Sequence, residues 1–318
     1  MLASGRMAYE FRLGEPPGKG LKRVARQQLR QLTELLGDEA DAAAGHHEAR
    51  KCVKRLRALM RLVRPALGKA LSAKLDRHLA KAAGALSGAR DTTVILRLLE
   101  RLERDGGGAA IGPQGRRLHA RLMKRPQSVR EPVDLAAIEV RIKQVGKLLK
   151  AAKLSHLESA DMFAGLEAEY RAGRKAIARA IKAGSAEAFH QLRKHVQRHW
   201  RHMQVFAAVW PAEMAARIAL AKELSDLLGD EHDFWLLREE LGRNGGRLGR
   251  LCEARQKALR STANGLLQLL FAERSGPLRE RLAAYWAGAT VGAQPGRDVV
   301  ADTASPAIVK PSSRQATS

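Results

Sequence analysis

Residues 46–64 have one basic face and one apolar face when the chain is wound as a helix at about 100° per residue. The apolar positions are Cys52, Val53, Leu56, Leu59, Met60 and Val63. Around His47, on the opposite side, fall Arg50, Lys51, Lys54, Ala58 and Arg61. Like charges three and four positions apart repel each other, so burial of the apolar face must outweigh that repulsion. The pattern predicts a helix packed on a core, whose basic face is either simply solvated or a binding surface.

A second segment, residues 189–202, repeats this pattern. It places His190, Arg193, Lys194, Gln197 and Arg201 where the first segment has His47, Arg50, Lys51, Lys54 and Ala58. The segments around Asp91 and Asp233 recur at nearly the same offset. This period is far longer than the roughly 20 to 50 residues of solenoid repeats. The duplication therefore predicts two similar domains and favours a functional basic face over a merely solvated one.

The composition predicts an all-α protein. Ala, Leu, Arg, Lys and Glu dominate, and aromatic residues make up 4% of the 318 residues. This length allows two domains of ordinary size, each burying its own core. Helical periodicity in the first half predicts helices near residues 21–36, 46–64, 69–87 and 91–103, followed by short basic and connecting helices. Four helices with short connections are typical of an antiparallel bundle.

The second half is predicted to contain its own helices, near residues 158–183, 186–209, 211–228, 232–242, 247–273 and 277–287. The predicted organisation is a lead-in at residues 1–15, a first bundle at 16–155, a second bundle at 156–288 and a tail at 289–318. The tail is rich in Gly, Pro, Ser, Thr and Asp, so we expect it to be disordered.

The charge of the chain indicates an anionic polymer as the partner. The formal net charge is +24, which suits nucleic acid, an anionic membrane surface or a phosphate polymer better than a neutral small molecule. The sequence has neither a signal-peptide pattern nor an 18-residue apolar run. The two cysteines, Cys52 and Cys252, fit no zinc motif. We therefore expect a cytoplasmic protein in a reducing compartment.

The sequence shows no catalytic constellation. Asp91 and Asp233 are the acids that recur, one in each half, and we interpret them as structural N-terminal caps of helices rather than as a metal site. His195, His199 and His202 have a spacing that could bind a transition metal. The helical wheel favours buried or bundle-edge histidines instead. We predict no catalytic residue, no metal and no cofactor.

Four stretches occur together that resemble the CHAD family, the conserved histidine α-helical domain. They are AYEFRLGEPPGKGLKRVARQQL, HEARKCVKRLR at residues 47–57, LSGARDTTVIL and LLGDEHDFWLL. The resemblance covers about residues 8–287. It implies two pseudo-twofold-related four-helix bundles whose basic helices face a central channel. It also implies binding of inorganic polyphosphate and association with polyphosphate granules.

The resemblance and the two basic faces together give a set of candidate binding residues. In the second half Gln197 stands where the family has Lys, and Trp200 stands where it has Arg, so we expect that half to contribute less unless Lys194, Arg198 and Arg201 compensate. The candidate polyphosphate-binding residues are Lys22, Arg26, Arg30, His47, Arg50, Lys51, Lys54, Arg57, Arg61, Arg174, His190, Arg193, Lys194, Arg198 and Arg201.

We therefore predict a polyphosphate-binding protein without catalysis, located in the cytoplasm on polyphosphate granules. Inorganic polyphosphate is the expected partner, with weak non-specific nucleic-acid binding, no membrane binding and contacts to other granule proteins. Two alternatives stay open: a general nucleic-acid-binding basic helical protein, and an enzyme of polyphosphate or nucleotide metabolism.

Overall fold

The computed structural model describes residues 9–37, 42–86, 90–106, 108–124, 134–242 and 245–292. Over these ranges the protein is all-helical, which confirms the predicted fold class. The helices are α1 (Pro17–Gly37), α2 (Ala42–Leu62), α3 (Arg64–Ala85), α4 (Arg90–Gly106), α5 (Gly108–Met123), α6 (Leu135–Ala151), α7 (Ser159–Ala183), α8 (Ala186–Val205), α9 (Pro211–Leu241), α10 (Gly246–Leu270) and α11 (Ser275–Gly292). The pseudo-twofold relation between two bundles stays a prediction.

Local sequence signals set several helix ends. Pro65 lies in the first turn of α3, where its missing N–H would have no helical partner anyway. Gly184 ends α7 with a φ of 59°, in the left-handed region that glycine adopts without a steric penalty. Ser185 then caps α8, because its side chain accepts a hydrogen bond from the backbone N–H of Ala188. The two histidine-bearing helices, α2 and α8, therefore begin and end close to where the sequence placed them.

Two predicted boundaries are wrong. The segments at 211–228 and 232–242 form one helix, α9, which runs through Gly229 without a break. Asp233 consequently lies inside α9 and is not an N-terminal cap. Asp91 is the second residue of α4, and its side chain lies outside the described part of the chain. The last helix, α11, continues past Gly288 to Gly292, so residues 289–292 do not belong to a tail; residues 293–318 lie outside the described residues.

The two halves share one hydrophobic core. A single cluster of buried side chains includes Leu21 and Leu56 from the first half and Leu192, Leu228 and Trp286 from the second. The expectation that each half buries its own core is therefore wrong, because α2 packs directly against α7 and α8. The predicted division near residue 155 separates two sequence repeats without separating two cores.

The end of α2 and the side of α7 approach each other very closely at Gly165. A Cβ atom built on Gly165 would lie 1.8 Å from the carbonyl oxygen of Leu62, well inside van der Waals contact. Glycine is thus required here by space, since Gly165 lies within the helix and has no unusual backbone conformation to accommodate. This contact fixes α7 of the second half against α2 of the first.

A smaller cluster of buried side chains is formed by α4, α5, the end of α9 and the start of α10. It includes Leu99, Leu118, Phe234, Leu237 and Cys252. This cluster again combines residues from both halves. It forms a second packed region that is separate from the main core.

The lead-in to α1 is packed rather than loose. The N–H of Phe11 donates to the carbonyl oxygen of Val205 at 3.0 Å, and the Tyr9 hydroxyl donates to the carbonyl oxygen of Arg55 at 2.8 Å. The Phe11 ring is fully buried and meets the edge of Trp286. The segment therefore connects the end of α8 with α2 and α11.

Candidate phosphate-polymer interface

The two histidine-bearing helices meet at a buried hydrogen bond. Nε2 of His202 on α8 lies 2.9 Å from the carbonyl oxygen of Ala58 on α2. Burial lowers the pKa of His202 to about 4, so the ring is neutral near pH 7 and carries its proton on Nε2 to donate to that carbonyl. The basic faces of α2 and α8 are therefore held beside each other, as a shared binding surface requires.

Three of the candidate arginines are bound by two carboxylates. Glu169 on α7 lies 3.2 Å from Arg198 and 3.6 Å from Arg61. Asp76 on α3 lies 3.0 Å from Arg57 and 3.7 Å from Arg61. Three guanidinium groups against two carboxylates leave this part of the surface with a small net positive charge. These ion pairs connect α2, α3, α7 and α8, so the arginines hold the helices together as well as contributing charge.

A group of four basic side chains forms where α2 and α8 face each other, and we call it the cationic cluster: Lys54, His190, Arg193 and Lys194. Lys54 comes from α2 and the other three come from α8. Burial lowers the pKa of His190, and the positive charges of Lys194, Arg193 and Lys54 lower it further, while Glu187 acts in the opposite direction. The cluster is a second place, besides the arginines around Glu169, where candidate residues from both repeats act on one another.

Helix α9 forms the floor beneath the cationic cluster. The ring of His190 lies 4.5 Å from the ring of His232, which in turn stacks on Trp235 at 5.3 Å. The guanidinium of Arg193 lies over Gly229, where an added Cβ would come within 2.8 Å of Nη2. Any larger side chain at that position would push Arg193 away from α9. The LLGDEHDFWLL segment therefore supports the cluster instead of capping a helix.

Other candidates on α2 make local contacts around this cluster. Arg50 donates from Nη1 to the carbonyl oxygen of Leu86, after the end of α3, at 3.2 Å. Lys51 pairs with Glu48 one turn earlier on the same helix at 2.6 Å. His47 is exposed near the start of α2. These side chains extend the basic face toward the N-terminal end of the helix.

The candidates on α1 lie on a different side of α2. Lys22 donates from Nζ to the carbonyl oxygen of Lys150 on α6 at 3.4 Å, which directs it away from α8. Arg30 lies 3.6 Å from Glu34 in an exposed pair, and Arg26 is exposed. The geometry does not bring these residues into the cationic cluster.

Two other predicted binding residues, Arg174 and Arg201, bind backbone carbonyls within the fold. Nη1 of Arg174 donates to the carbonyl oxygens of Phe271 and Ala272, and also to that of Glu273, where α10 has just ended. Arg201 is buried, with 6% of its surface exposed. Its Nη1 donates to the carbonyl oxygen of Gln197 at 2.8 Å, and its guanidinium stacks on the ring of Trp200.

The burial of Arg201 could not be predicted from the sequence, because it depends on the surrounding groups in the folded protein. Burial, together with the smaller effects of the positive charges of Arg55 and Arg193, lowers the pKa of Arg201 to about 10, whereas Tyr9 acts in the opposite direction. A side chain in this position cannot reach a polymer at the surface. Only its burial in the folded protein distinguishes Arg201 from the exposed basic residues of α8.

Of the other two histidines in the predicted trio, His199 is buried and His195 is partly buried, in line with the buried or bundle-edge positions that the helical wheel indicated. His199 packs against the rings of Tyr170 and Phe271, which stack on each other, and burial holds its pKa well below the ordinary range. Burial likewise lowers the pKa of His195 to about 4. Among the side chains that the structure describes, no group of three or more His, Cys, Asp or Glu residues could hold a metal ion.

Glu169, Asp76, His232 and Gly229 were not identified from the sequence as parts of this site. Glu169 had a usable signal, since it shares a helical face with the buried residues Leu166 and Gly173. An acid at the edge of an apolar stripe, on a helix facing basic neighbours, is a candidate for an interhelical ion pair. No sequence signal distinguishes Gly229 from a helix-ending glycine.

A comparison of the chain with models of known protein families found a match. The family model of the CHAD domain matches residues 23–242, which is more than half of the chain. The chain belongs to the CHAD family. The match includes both histidine-bearing helices of this CHAD protein and ends just after α9, so α10 and α11 lie beyond it. Comparison with curated proteins and with solved structures gave no match.

Over the described residues, every helix is too short or too polar to cross a bilayer.

Proposed function

We propose that this CHAD protein binds inorganic polyphosphate at the cationic cluster formed by Lys54, His190, Arg193 and Lys194. The observation that carries the proposal is that α2 and α8 pack against each other, with Arg193 and His190 both held against α9 and Lys54 of the first repeat near enough to act on His190 of the second. Membership of the CHAD family supports the same partner, because resemblance to this family implies binding of inorganic polyphosphate.

A phosphate polymer suits this cluster on physical grounds. Burial lowers the pKa of His190, and the neighbouring positive charges lower it further; a polyanion would relieve the repulsion among these charges. Arginine forms short, charge-assisted hydrogen bonds to phosphate oxygens, and lysine supplies compact point charges. The net charge of +24 would attract a polyanion from a distance and make association fast at low salt.

The acid-bound arginines contribute to this function indirectly. Arg57, Arg61 and Arg198 are bound by Glu169 and Asp76, so their main role is to hold α2 and α8 in register. A rigid pair of basic helices loses less conformational entropy on binding than flexible basic tails do. We therefore assign specificity to the cationic cluster and support to the neighbouring ion pairs.

A salt titration with matched variants tests the proposal. Lys54→Gln/Lys194→Gln removes two positive charges from the cluster while leaving the packed Arg193 in place. Lys143→Gln/Lys147→Gln removes two exposed positive charges from α6, which packs against α1 and α3. Binding to long-chain polyphosphate and to duplex DNA of equal total charge is measured for each protein as salt is raised through about 0.15 M.

The wild type is expected to prefer polyphosphate over DNA throughout this range. The cluster variant should lose about tenfold or more in polyphosphate affinity, whereas the α6 variant should change by about threefold or less. Equal losses in the two variants would mean that only net charge matters, which contradicts a specific site. Equal affinity of the wild type for DNA and polyphosphate would favour a general nucleic-acid binder.

The proposal also holds that the protein binds the polymer without cleaving it and resides on polyphosphate granules in the cytoplasm. Incubation of polyphosphate with the protein and Mg²⁺ should leave the chain-length distribution unchanged. Release of phosphate that is abolished by Asp91→Asn or Asp233→Asn would instead indicate an enzyme. In cells, a fluorescent fusion of the wild type should coincide with granules, and the cluster variant should disperse.

A further inference from the structure

A cavity of about 580 Å³ opens between α4, α9 and α10. This volume lies within the range of small-molecule sites in proteins, about 300 to 1,000 Å³. The cavity adjoins the smaller hydrophobic cluster and takes no residue from α2 or α8. Its lining residues on α10 lie beyond the part of the chain that the family model matches. The cavity is therefore distinct from the proposed polyphosphate surface.

The lining combines an apolar wall with charged groups. Leu102 and Phe234, both buried, and Leu251 and Leu259 supply apolar surface. Such a wall gives a flat ring a place to pack, chiefly on the partly exposed Leu251 and Leu259. A purely inorganic anion would gain nothing from this wall, so the cavity favours a ligand with an apolar ring system.

Three arginines line the same cavity: Arg101 from α4, and Arg247 and Arg255 from α10. Arg101 lies 3.5 Å from Asp230, which leaves Arg247 and Arg255 as the charges best placed to meet a ligand. Guanidinium groups bind phosphate oxygens in a bidentate manner. The cavity therefore offers positive charge on the α10 side of its apolar wall.

The position of Arg247 strengthens the case for an anionic group. Arg247 lies in the first turn of α10, which contains no acidic residue. A positive charge there opposes the helix dipole, whose positive end is at the N-terminus, and an anion bound nearby would relieve this opposition. The effect adds to the attraction of Arg255 for the same anion.

Two carboxylates complete the lining, Asp105 from α4 and Asp230 from α9. Carboxylates accept hydrogen bonds from neutral hydroxyl groups, as those that bind the ribose of dinucleotides do. The cavity thus presents an apolar wall, hydroxyl acceptors and phosphate-binding arginines together. These are the three kinds of contact that a base, a ribose and a phosphate group require.

We propose that this cavity binds a nucleoside diphosphate. The base packs against Leu251 and Leu259, the ribose hydroxyls donate to Asp105 or Asp230, and the phosphates meet Arg247 and Arg255. The proposal does not depend on polyphosphate binding at the cationic cluster, because the two sites share no residue.

The test uses isothermal titration calorimetry of the full chain with ADP, adenosine and pyrophosphate as separate probes. Arg247→Gln/Arg255→Gln removes the two cavity arginines. Arg250→Gln/Lys257→Gln removes the same number of charges from exposed positions on the same helix that do not line the cavity. Circular dichroism checks that both variants keep the helical content of the wild type.

ADP is expected to bind the wild type about tenfold or more tightly than adenosine or pyrophosphate does. The cavity variant should lose about tenfold in ADP affinity, and the matched α10 variant should keep it within about threefold. Three results would each overturn the proposal: no heat of binding with ADP at about 1 mM, pyrophosphate binding as tightly as ADP, or equal ADP affinity in the two variants. The last of these would place ADP on the general basic surface.

Discussion

His202 on α8 donates from Nε2 to the carbonyl oxygen of Ala58 on α2 across 2.9 Å, and this bond joins the two sequence repeats inside the core. The ring is wholly buried, and its pKa is about 4 in place of the ordinary 6.5. The unfolded chain therefore takes up a proton at a higher pH than the folded protein does. The contribution of the neutral, buried His202 to the free energy of unfolding is therefore complete above about pH 6.5, and it is lost as the pH falls toward 4.

The variant His202→Phe keeps a ring of similar size but can neither donate to Ala58 nor titrate. At pH 7 it should be less stable than the wild type by about 1 to 2 kcal/mol, from the lost hydrogen bond. At pH 5 this difference should shrink by about 1 to 2 kcal/mol, because only the wild type loses stability through this histidine. Urea denaturation at both pH values measures it. A difference that is the same at pH 5 and pH 7 would contradict the buried neutral state.

Glu169 should be one of the more important carboxylates for stability. Its side chain is only 14% exposed and lies between Arg61 and Arg198. Glu169→Gln leaves those two partly buried guanidinium groups without their shared carboxylate, and should cost about 2 kcal/mol in the free energy of unfolding. Glu34→Gln, which breaks an exposed pair with Arg30, is the control and should change stability by about 0.5 kcal/mol or less. Similar effects of both substitutions would show that Glu169 does not bridge the helices.

The same substitution should have opposite effects at two helical glycines. Gly165→Ala places a methyl group against the carbonyl oxygen of Leu62 and should destabilise the protein by about 2 kcal/mol or more. Gly265→Ala on α10 has open space around the new methyl group and should stabilise by up to about 1 kcal/mol through helix propensity. Thermal unfolding of the two variants compares the signs. A stable Gly165→Ala protein would mean that α7 and α2 are farther apart.

If the cationic cluster binds polyphosphate, binding should depend on the protonation of His190. Burial lowers the pKa of His190, and Lys194, Arg193 and Lys54 lower it further, while Glu187 raises it. His232 faces the ring from α9. Bound phosphates would raise this pKa, so affinity should be greatest below the pKa of the free protein and should fall as pH rises through that of the complex.

Polyphosphate affinity measured between about pH 5.5 and pH 8 should therefore fall by about threefold to tenfold in the wild type. His190→Gln removes the titrating group and should flatten this dependence while leaving the salt dependence nearly unchanged. An unchanged pH profile in His190→Gln would assign the effect to other histidines and exclude His190 from the bound surface.

Helix periodicity in the sequence predicted most of the helices, but it divided α9 incorrectly. The Gly229–Asp230 pair resembles a helix end followed by a new start, and the corresponding place in the first half does separate α3 from α4. In α9 the absence of a Cβ at Gly229 makes room for the guanidinium of Arg193. A glycine inside a helix costs only about 1 kcal/mol, and packing against α8 can offset that. Whether such a glycine ends a helix or lies inside one therefore depends on the helix that packs against it.

The candidate site was partly predictable for a similar reason. Charge and helical spacing identified Lys54, His190 and Lys194, because these side chains project from the basic faces of α2 and α8. The same criteria selected Arg174 and Arg201, whose guanidinium groups bind backbone carbonyls within the fold. A sequence records that an arginine is present but not whether its partner is a carbonyl or solvent.

The shared core should hold the protein together even when the backbone is cut between α6 and α7. The connection between α6 and α7 contains the exposed Lys153, which a protease such as trypsin could cleave. Because Leu56, Leu192 and Trp286 belong to one buried cluster that spans the cleavage point, the two fragments should remain associated as a nicked complex. The apolar surface that the two repeats bury against each other is then more important for the folded state than an intact backbone at this point.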